Sequence, residues 1–103
     1  DISFMFYGCN QLVELDLSSW DTSNVTQMST VFNFCHGLTT IYASERWSVE
    51  NVVRHDDLFS NCENLTGGAG TKHSSAHTGK EYAHIDSVDN PGYLTYKAPA
   101  ANP

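Results

Sequence analysis

The stretch that decides the fold is Phe6-Tyr7-Gly8-Cys9-Asn10-Gln11-Leu12, and its pattern returns twice, at residues 32–38 and 59–65. All three copies share the core Phe-x-x-Cys-x-x-Leu, and the cysteines of successive copies are 26 and then 27 residues apart. Self-similarity with a period of roughly 20–50 residues is typical of proteins built from stacked repeats. The sequence therefore predicts that the first residues of the three copies, Phe6, Phe32 and Phe59, stack on one another.

Each of the first two repeats carries a second pattern, which predicts a strand followed by a helical turn. Leu12, Leu15 and Leu17 match the L-x-x-L-x-L spacing of leucine-rich repeats, which ends in a short strand. Apolar residues three and four apart follow, and this spacing favours a helix. We therefore predict an α/β fold, a right-handed solenoid like that of leucine-rich repeats. Its short parallel strands lie near 13–17 and 39–43, its helical turns near 25–33 and 52–60, and a C-terminal β-hairpin caps it.

The third repeat breaks off after Leu65, where the glycine-rich stretch 67–71 replaces the expected strand. Two later segments, 82–86 and 92–96, are predicted to be short strands that the turn Asp89-Asn90-Pro91-Gly92 joins. We assign residues 1–66 to repeat coils, two full and one partial, residues 67–97 to the C-terminal cap, and residues 98–103 to a linker or tail. Because the chain opens inside a repeat, we expect further repeats of the same chain on its N-terminal side.

The charge balance argues against two classes of partner. Twelve acidic residues against five lysines and arginines give a net charge of −7. Nucleic acids and anionic membrane surfaces both attract basic patches, so we expect neither as a partner. No apolar run approaches the roughly 18 residues of a membrane-spanning helix, so we expect no membrane insertion by this segment.

The residue types that carry chemistry are not arranged as a catalytic or metal site. The three cysteines occupy equivalent repeat positions, which predicts buried, reduced thiols instead of a nucleophile or a zinc site. His73 and His77 are four residues apart, but that spacing places two ligands on one face only in a helix, and this stretch is rich in Gly, Ser and Thr. The aspartates form no D-x-D-x-D-G calcium loop. We expect no catalysis, no metal and no cofactor.

The first repeat resembles a known bacterial family. Met5-Phe6-Tyr7-Gly8-Cys9 and residues 15–26, together with Met28, are similar to the 26-residue repeat of bacterial surface proteins. That repeat belongs with the BspA-like leucine-rich-repeat surface proteins and with lipoprotein-type domains of unknown function. The second repeat departs from the pattern, since Val31 stands where Met is usual. The resemblance implies an extracellular location at the bacterial cell surface and a role in binding. It supplies no ligand and no catalytic residue.

The candidate binding face follows from the predicted strand ladder. In a repeat protein of this kind, the outward residues of the strands form the usual contact surface. Strand periodicity places Glu14 and Asp16 of the first repeat and Thr40 and Tyr42 of the second on that side.

We therefore expect a non-catalytic binding or adhesion module, whose partner is a protein or glycan of a host or neighbouring cell. The alternative is a structural spacer or capping segment of a surface repeat array, with no ligand of its own. Trp20 and Trp47 bear on this choice. They either pack over the edge of the repeat or offer an aromatic platform to a sugar or peptide.

Overall fold

Residues 1–100 are described by a computed structural model, and they contain three short strands and one 3-10 helix. The strands are β1 (Glu14–Asp16), β2 (Thr40–Ala43) and β3 (Leu94–Tyr96), and the 3-10 helix is Lys80–Tyr82. Within residues 1–100, no helix combines the length and the apolar character that crossing a membrane requires. Residues 101–103 of the predicted tail lie outside the described residues.

The strands form one parallel sheet in the order β1-β2-β3. Leu15 of β1 lies opposite Ile41 of β2, and Ile41 lies opposite Leu94 of β3. The first two strands lie inside the ranges that the L-x-x-L-x-L pattern predicts. Thus each of the first two repeats contributes one strand to a common sheet.

The predicted leucine-rich-repeat-like solenoid is wrong. The described residues form a small domain with almost no helix and an open sheet of three parallel strands, and they show no solenoid. A solenoid requires each successive coil to supply the next strand. Here the third copy of the repeated pattern leads into a long irregular segment, and the third strand comes from residues 94–96, beyond the repeats. The regular pattern therefore ends after Leu65, before the third repeat has supplied a strand.

The helical turns predicted near 25–33 and 52–60 are also wrong, because both segments are chains of tight turns. The backbone enters the left-handed region at Thr30 (φ 56°) and Asp57 (φ 54°), which a right-handed helix does not accommodate. Backbone N–H groups donate across to the neighbouring repeat, as from Met28 to the Arg54 carbonyl at 2.7 Å. The three-and-four spacing of apolar residues thus reflects successive turns that face one core.

The predicted C-terminal β-hairpin is wrong as well. Part of the segment expected to form its first strand belongs to the 3-10 helix, and Ile85 makes only an isolated bridge, parallel to Leu94. A turn does precede β3, but it lies two residues earlier than predicted, over residues 87–90, where a bridge between Ser87 and Asn90 closes it. Because β3 pairs in parallel with β2, the C-terminal segment extends the sheet of the repeats and does not build a hairpin of its own.

The predicted phenylalanine stack is confirmed. The Phe6 and Phe32 rings are 5.9 Å apart and nearly parallel, and the Phe32 and Phe59 rings are 5.5 Å apart. Tyr93, which is fully buried, meets Phe59 edge-on at 5.0 Å. The stack therefore runs from the first repeat to the residue immediately before β3.

The core residues of the first repeat are more exposed to solvent than those of the second. Six apolar positions are half-buried in the first repeat and buried in the second. They are Phe6, Cys9, Leu12, Leu15, Trp20 and Val25, with counterparts Phe32, Cys35, Leu38, Ile41, Trp47 and Val52.

The three cysteine thiols are free, as predicted, but the expectation that all three are buried is wrong for Cys9. Cys35 donates to the Phe6 carbonyl at 3.1 Å, and Cys62 to the Phe32 carbonyl at 2.8 Å. Cys9 is half-buried, like the other core positions of the first repeat.

One buried carboxylate, that of Asp86, ties the glycine-rich loop to the turn before β3. Its oxygens accept from the Ala69 and Thr71 amides at 2.9 and 3.0 Å, from the Thr71 hydroxyl at 2.7 Å and from the Gly92 amide at 3.0 Å. Burial opposes ionisation of this group, but the hydrogen bonds outweigh it and lower the pKa of Asp86 below its ordinary value. A side chain at Gly67 would overlap the Gly92 carbonyl, so this close approach requires glycine.

Candidate binding face

The structure brings the four predicted contact residues onto one face of the sheet. Glu14 lies opposite Thr40 and Asp16 opposite Tyr42 across the β1–β2 pair. The two alternate residues of β2, Ile41 and Ala43, are fully buried. Since successive side chains of a strand alternate between faces, the four residues lie on the side away from the core.

Two further residues complete this face, and the sequence alone indicated neither. Thr95 of β3 lies opposite Tyr42, so Asp16, Tyr42 and Thr95 form one row across the three strands. Lys97 follows β3, and its Nζ lies 2.6 Å from an Asp16 carboxylate oxygen. The alternation in residues 92–96 could have identified Thr95, but only with the correct strand partner. We call these six residues (Glu14, Asp16, Thr40, Tyr42, Thr95 and Lys97) the sheet face.

An ion pair fixes the end of the sheet face. The hydrogen bond from Lys97, together with those from Ser18, holds the pKa of Asp16 well below its usual range. The same contact raises the pKa of Lys97. Both side chains are about half exposed, so solvent screens the pair and its contribution to folding is small. Its main effect is to hold the Lys97 ammonium 5.4 Å from the Tyr42 ring centroid, within cation–π range.

At the other end of the sheet face, the side chains of Glu14 and Thr40 form only long contacts with their neighbours. The Tyr42 hydroxyl donates to Glu14 only at 3.4 Å, and the Thr40 hydroxyl lies 3.4 Å from that of Thr39. Hydrogen bonds of this length are weak. The Glu14 carboxylate and the Thr40 hydroxyl are therefore available to accept from, or donate to, a bound molecule.

The tryptophans pack into the repeat edge. Trp47 is 8% exposed and donates its ring N–H to the Ala83 carbonyl at 2.9 Å. Trp20 is half-buried, with its ring 6.1 Å from that of Phe6. Trp47 is thus unavailable as an aromatic platform, because its ring is covered by the rest of the chain.

The predicted loop histidines serve packing contacts. A ring nitrogen of His73 lies 2.7 Å from the Phe59 carbonyl, and the His77 ring stacks on Tyr82 at 4.3 Å. Within the described part of the chain, no three or more His, Cys, Asp and Glu side chains are grouped closely enough to hold a metal ion.

Comparison with known families finds a match over most of the chain. The family model described as "Mycoplasma protein of unknown function, DUF285" matches residues 1–85. No curated protein and no solved structure matches the chain. The matched range contains all three copies of the repeated pattern and the strands β1 and β2, whereas β3 and Lys97 follow it.

Proposed function

This chain belongs to the DUF285 family, Mycoplasma proteins of unknown function, and from that premise we propose that it is a non-catalytic binding module of a bacterial surface or secreted protein. The sheet face is its contact surface. The partner is a protein or glycan of a host or neighbouring cell. The module acts outside the cell, as a segment of a longer exported protein.

The proposal includes a relation to the BspA-like 26-residue surface repeats, which is finer than the family match. The spatial period of the backbone supports it. Amides of the first repeat donate to carbonyls of the second at a constant offset, as from Phe4 to Ser29 at 3.1 Å and from Phe6 to Val31 at 3.0 Å. Thus the 26-residue similarity of the sequence corresponds to repeated contacts between units, and not only to similar composition.

The observation that carries the proposed function is the row of polar side chains on three strands in register. Glu14 is exposed and Thr40 is partly exposed, and within residues 1–100 the side chain of neither forms a strong hydrogen bond. Tyr42 places an aromatic ring beside them, and aromatic residues are enriched among the side chains that dominate binding energy. The Glu14 carboxylate accepts hydrogen bonds, the Thr40 hydroxyl can donate one, and Tyr42 offers an aromatic ring. Together these groups suit the recognition of a sugar or an extended peptide.

The experiment is a screen of the immobilised domain against glycans and host matrix proteins, followed by titration of each ligand that binds. The variant Glu14→Ala/Thr40→Ala removes the two polar side chains of the sheet face whose hydrogen bonds within the protein are weak. The control Glu50→Ala/Thr26→Ala removes the same chemical groups from exposed positions elsewhere.

We expect the sheet-face variant to weaken binding at least tenfold, and the control to bind like the parent. Equal binding by both variants would overturn the assignment of the sheet face, and a parent domain that binds nothing would favour the spacer.

The spacer remains the second candidate function because of the open end of the core. Six apolar positions of the first repeat are only half-buried, and their counterparts in the second repeat are covered by their neighbours. A preceding repeat of the same chain is the partner that we propose for this end. A segment with that role would hold the neighbouring units of the array at fixed positions and would need no ligand.

A further inference from the structure

A row of aromatic side chains lies exposed along the turns of the first two repeats, away from the residues of the sheet face. The ring centroids follow one another at 5.9 Å from Phe4 to Tyr7, 5.8 Å from Tyr7 to Phe34 and 5.8 Å from Phe34 to His36. Phe4 is 62% exposed, Tyr7 49% and Phe34 39%. We call these four residues the aromatic row.

Two members of the aromatic row occupy backbone positions that disfavour them. Phe4 has φ 65° and Phe34 has φ 63°, both in the left-handed region, where a bulky side chain is strained. The equivalent positions of the other repeats are also left-handed. Phe4 corresponds to Thr30, whose β-branched side chain is also disfavoured there, and to Asp57, which enters this region more readily.

The second strained position shows a clearer contrast, because both of its equivalents tolerate the left-handed region. Phe34 corresponds to Gly8 (φ 70°) and Asn61 (φ 61°), and glycine and asparagine are the residues that enter this region most readily. Phenylalanine at these two places therefore adds backbone strain and leaves apolar surface in water. Strain of this kind is concentrated at functional sites, and an exposed aromatic patch marks an interaction surface.

The charges around the aromatic row indicate the kind of partner. At one end, His36 lies 2.6 Å from the Glu63 carboxylate, and both side chains are about half exposed. At the other end, Asp1 and Arg54 line the same shallow hollow as Phe4 and balance each other. The chain as a whole carries −7, which repels a second copy of itself, an anionic membrane and a nucleic acid. Exposed ring faces together with net negative charge fit cationic side chains, which bind over aromatic rings.

We infer that the aromatic row is a docking surface for a cationic, arginine- or lysine-rich peptide segment. Guanidinium or ammonium groups stack over Phe4, Tyr7 and Phe34, and Glu63 pairs with a further cation at the His36 end. The overall negative charge raises the association rate. This surface shares no residue with the sheet face, so the two proposals stand or fall separately.

The test titrates the whole chain into a fluorescein-labelled (Arg-Ser)4 peptide at 0.15 M NaCl, and the fluorescence anisotropy of the peptide measures its binding. The peptide (Glu-Ser)4 is the charge-reversed control. Phe4→Asn and Phe34→Asn replace each strained phenylalanine with a residue that tolerates the left-handed region, and Val53→Asn removes an apolar side chain that is 76% exposed elsewhere.

We expect (Arg-Ser)4 to bind the parent and Val53→Asn equally, and each phenylalanine variant at least fivefold more weakly. Phe4→Asn should retain or raise the melting temperature, which separates loss of binding from loss of folding. Failure of the parent to bind, or binding of Phe4→Asn as tight as that of the parent, would overturn the inference. So would dimerisation of the parent that Phe4→Asn abolishes, because the row would then serve self-association.

Discussion

Replacing Asp86 by asparagine tests whether one carboxylate holds the irregular segment against the repeats. In its best orientation the new amide keeps its oxygen towards the Ala69 and Thr71 amides, and its NH2 group donates to the Thr71 hydroxyl. The Gly92 amide, which now donates to Asp86 at 3.0 Å, would then face another donor inside the protein. That buried N–H group loses its partner, and the remaining bonds lose the strength that the negative charge gives them.

The magnitude follows from these contacts. An unsatisfied buried N–H costs about 1–3 kcal/mol, and hydrogen bonds to a charged group are stronger than those to a neutral one by roughly 1 kcal/mol. We expect Asp86→Asn to lower the free energy of unfolding by about 3 kcal/mol. In a domain of this size that is a fall in melting temperature of roughly 10–20 °C.

Urea unfolding followed by tryptophan fluorescence measures this change, because Trp47 contacts the same segment through the Ala83 carbonyl. Asp89→Asn is the matched control, since Asp89 is exposed in the adjacent turn. It should change the free energy of unfolding by less than about 0.5 kcal/mol. If Asp86→Asn unfolds within the same margin of the parent, the carboxylate does not anchor the segment.

The remaining predictions concern thiols, acid and truncation. A thiol reagent should label Cys9 first and Cys62 last, because Cys9 is only half-buried whereas burial raises the pKa of Cys62 to about 12. Equal labelling rates for all three cysteines would contradict the packing described above. The pKa of Asp86 is lower in the folded state than in the unfolded state. The ionised carboxylate therefore contributes fully to stability above the unfolded-state pKa, near 4, and this contribution is lost as pH falls through the folded-state pKa. In an acid titration, Asp86→Asn should accordingly lose less stability below pH 4 than the parent does. Truncation after Thr66 removes Tyr93 from the end of the phenylalanine stack and should give an unfolded or aggregating product, which circular dichroism during heating would detect. Removal of residues 98–103 should leave the melting temperature unchanged; a large fall would show that the tail contributes to the fold.

The repeated features of this structure were predictable because each is encoded more than once. Three copies of one pattern gave the phenylalanine stack, and period two placed Glu14, Asp16, Thr40 and Tyr42 on one side. Apolar spacing could not distinguish a helix from a series of turns, since both bring every third or fourth residue to the core. The left-handed backbone at Thr30, which excludes the helix, depends on hydrogen bonds between repeats and has no local signal in the sequence.

The strand β3 shows the other limit of the sequence. The alternation of residues 92–96 indicated a strand, and the turn before it favoured an antiparallel partner nearby. The actual partner is β2, far away in the sequence and parallel, and no local pattern specifies such a pairing. The contribution of Lys97 to the sheet face was therefore not predictable, because its position beside Asp16 follows from that register.

Chemical-shift mapping of the isotope-labelled domain tests the central claim most directly, namely that the sheet face binds a partner. The domain would be titrated with the ligand that the glycan and matrix screen identifies. We predict that the amide shifts concentrate in Glu14–Asp16, Thr40–Ala43 and Leu94–Tyr96 and saturate with one dissociation constant. Shifts confined to other parts of the chain, or none at saturating ligand, would contradict the account.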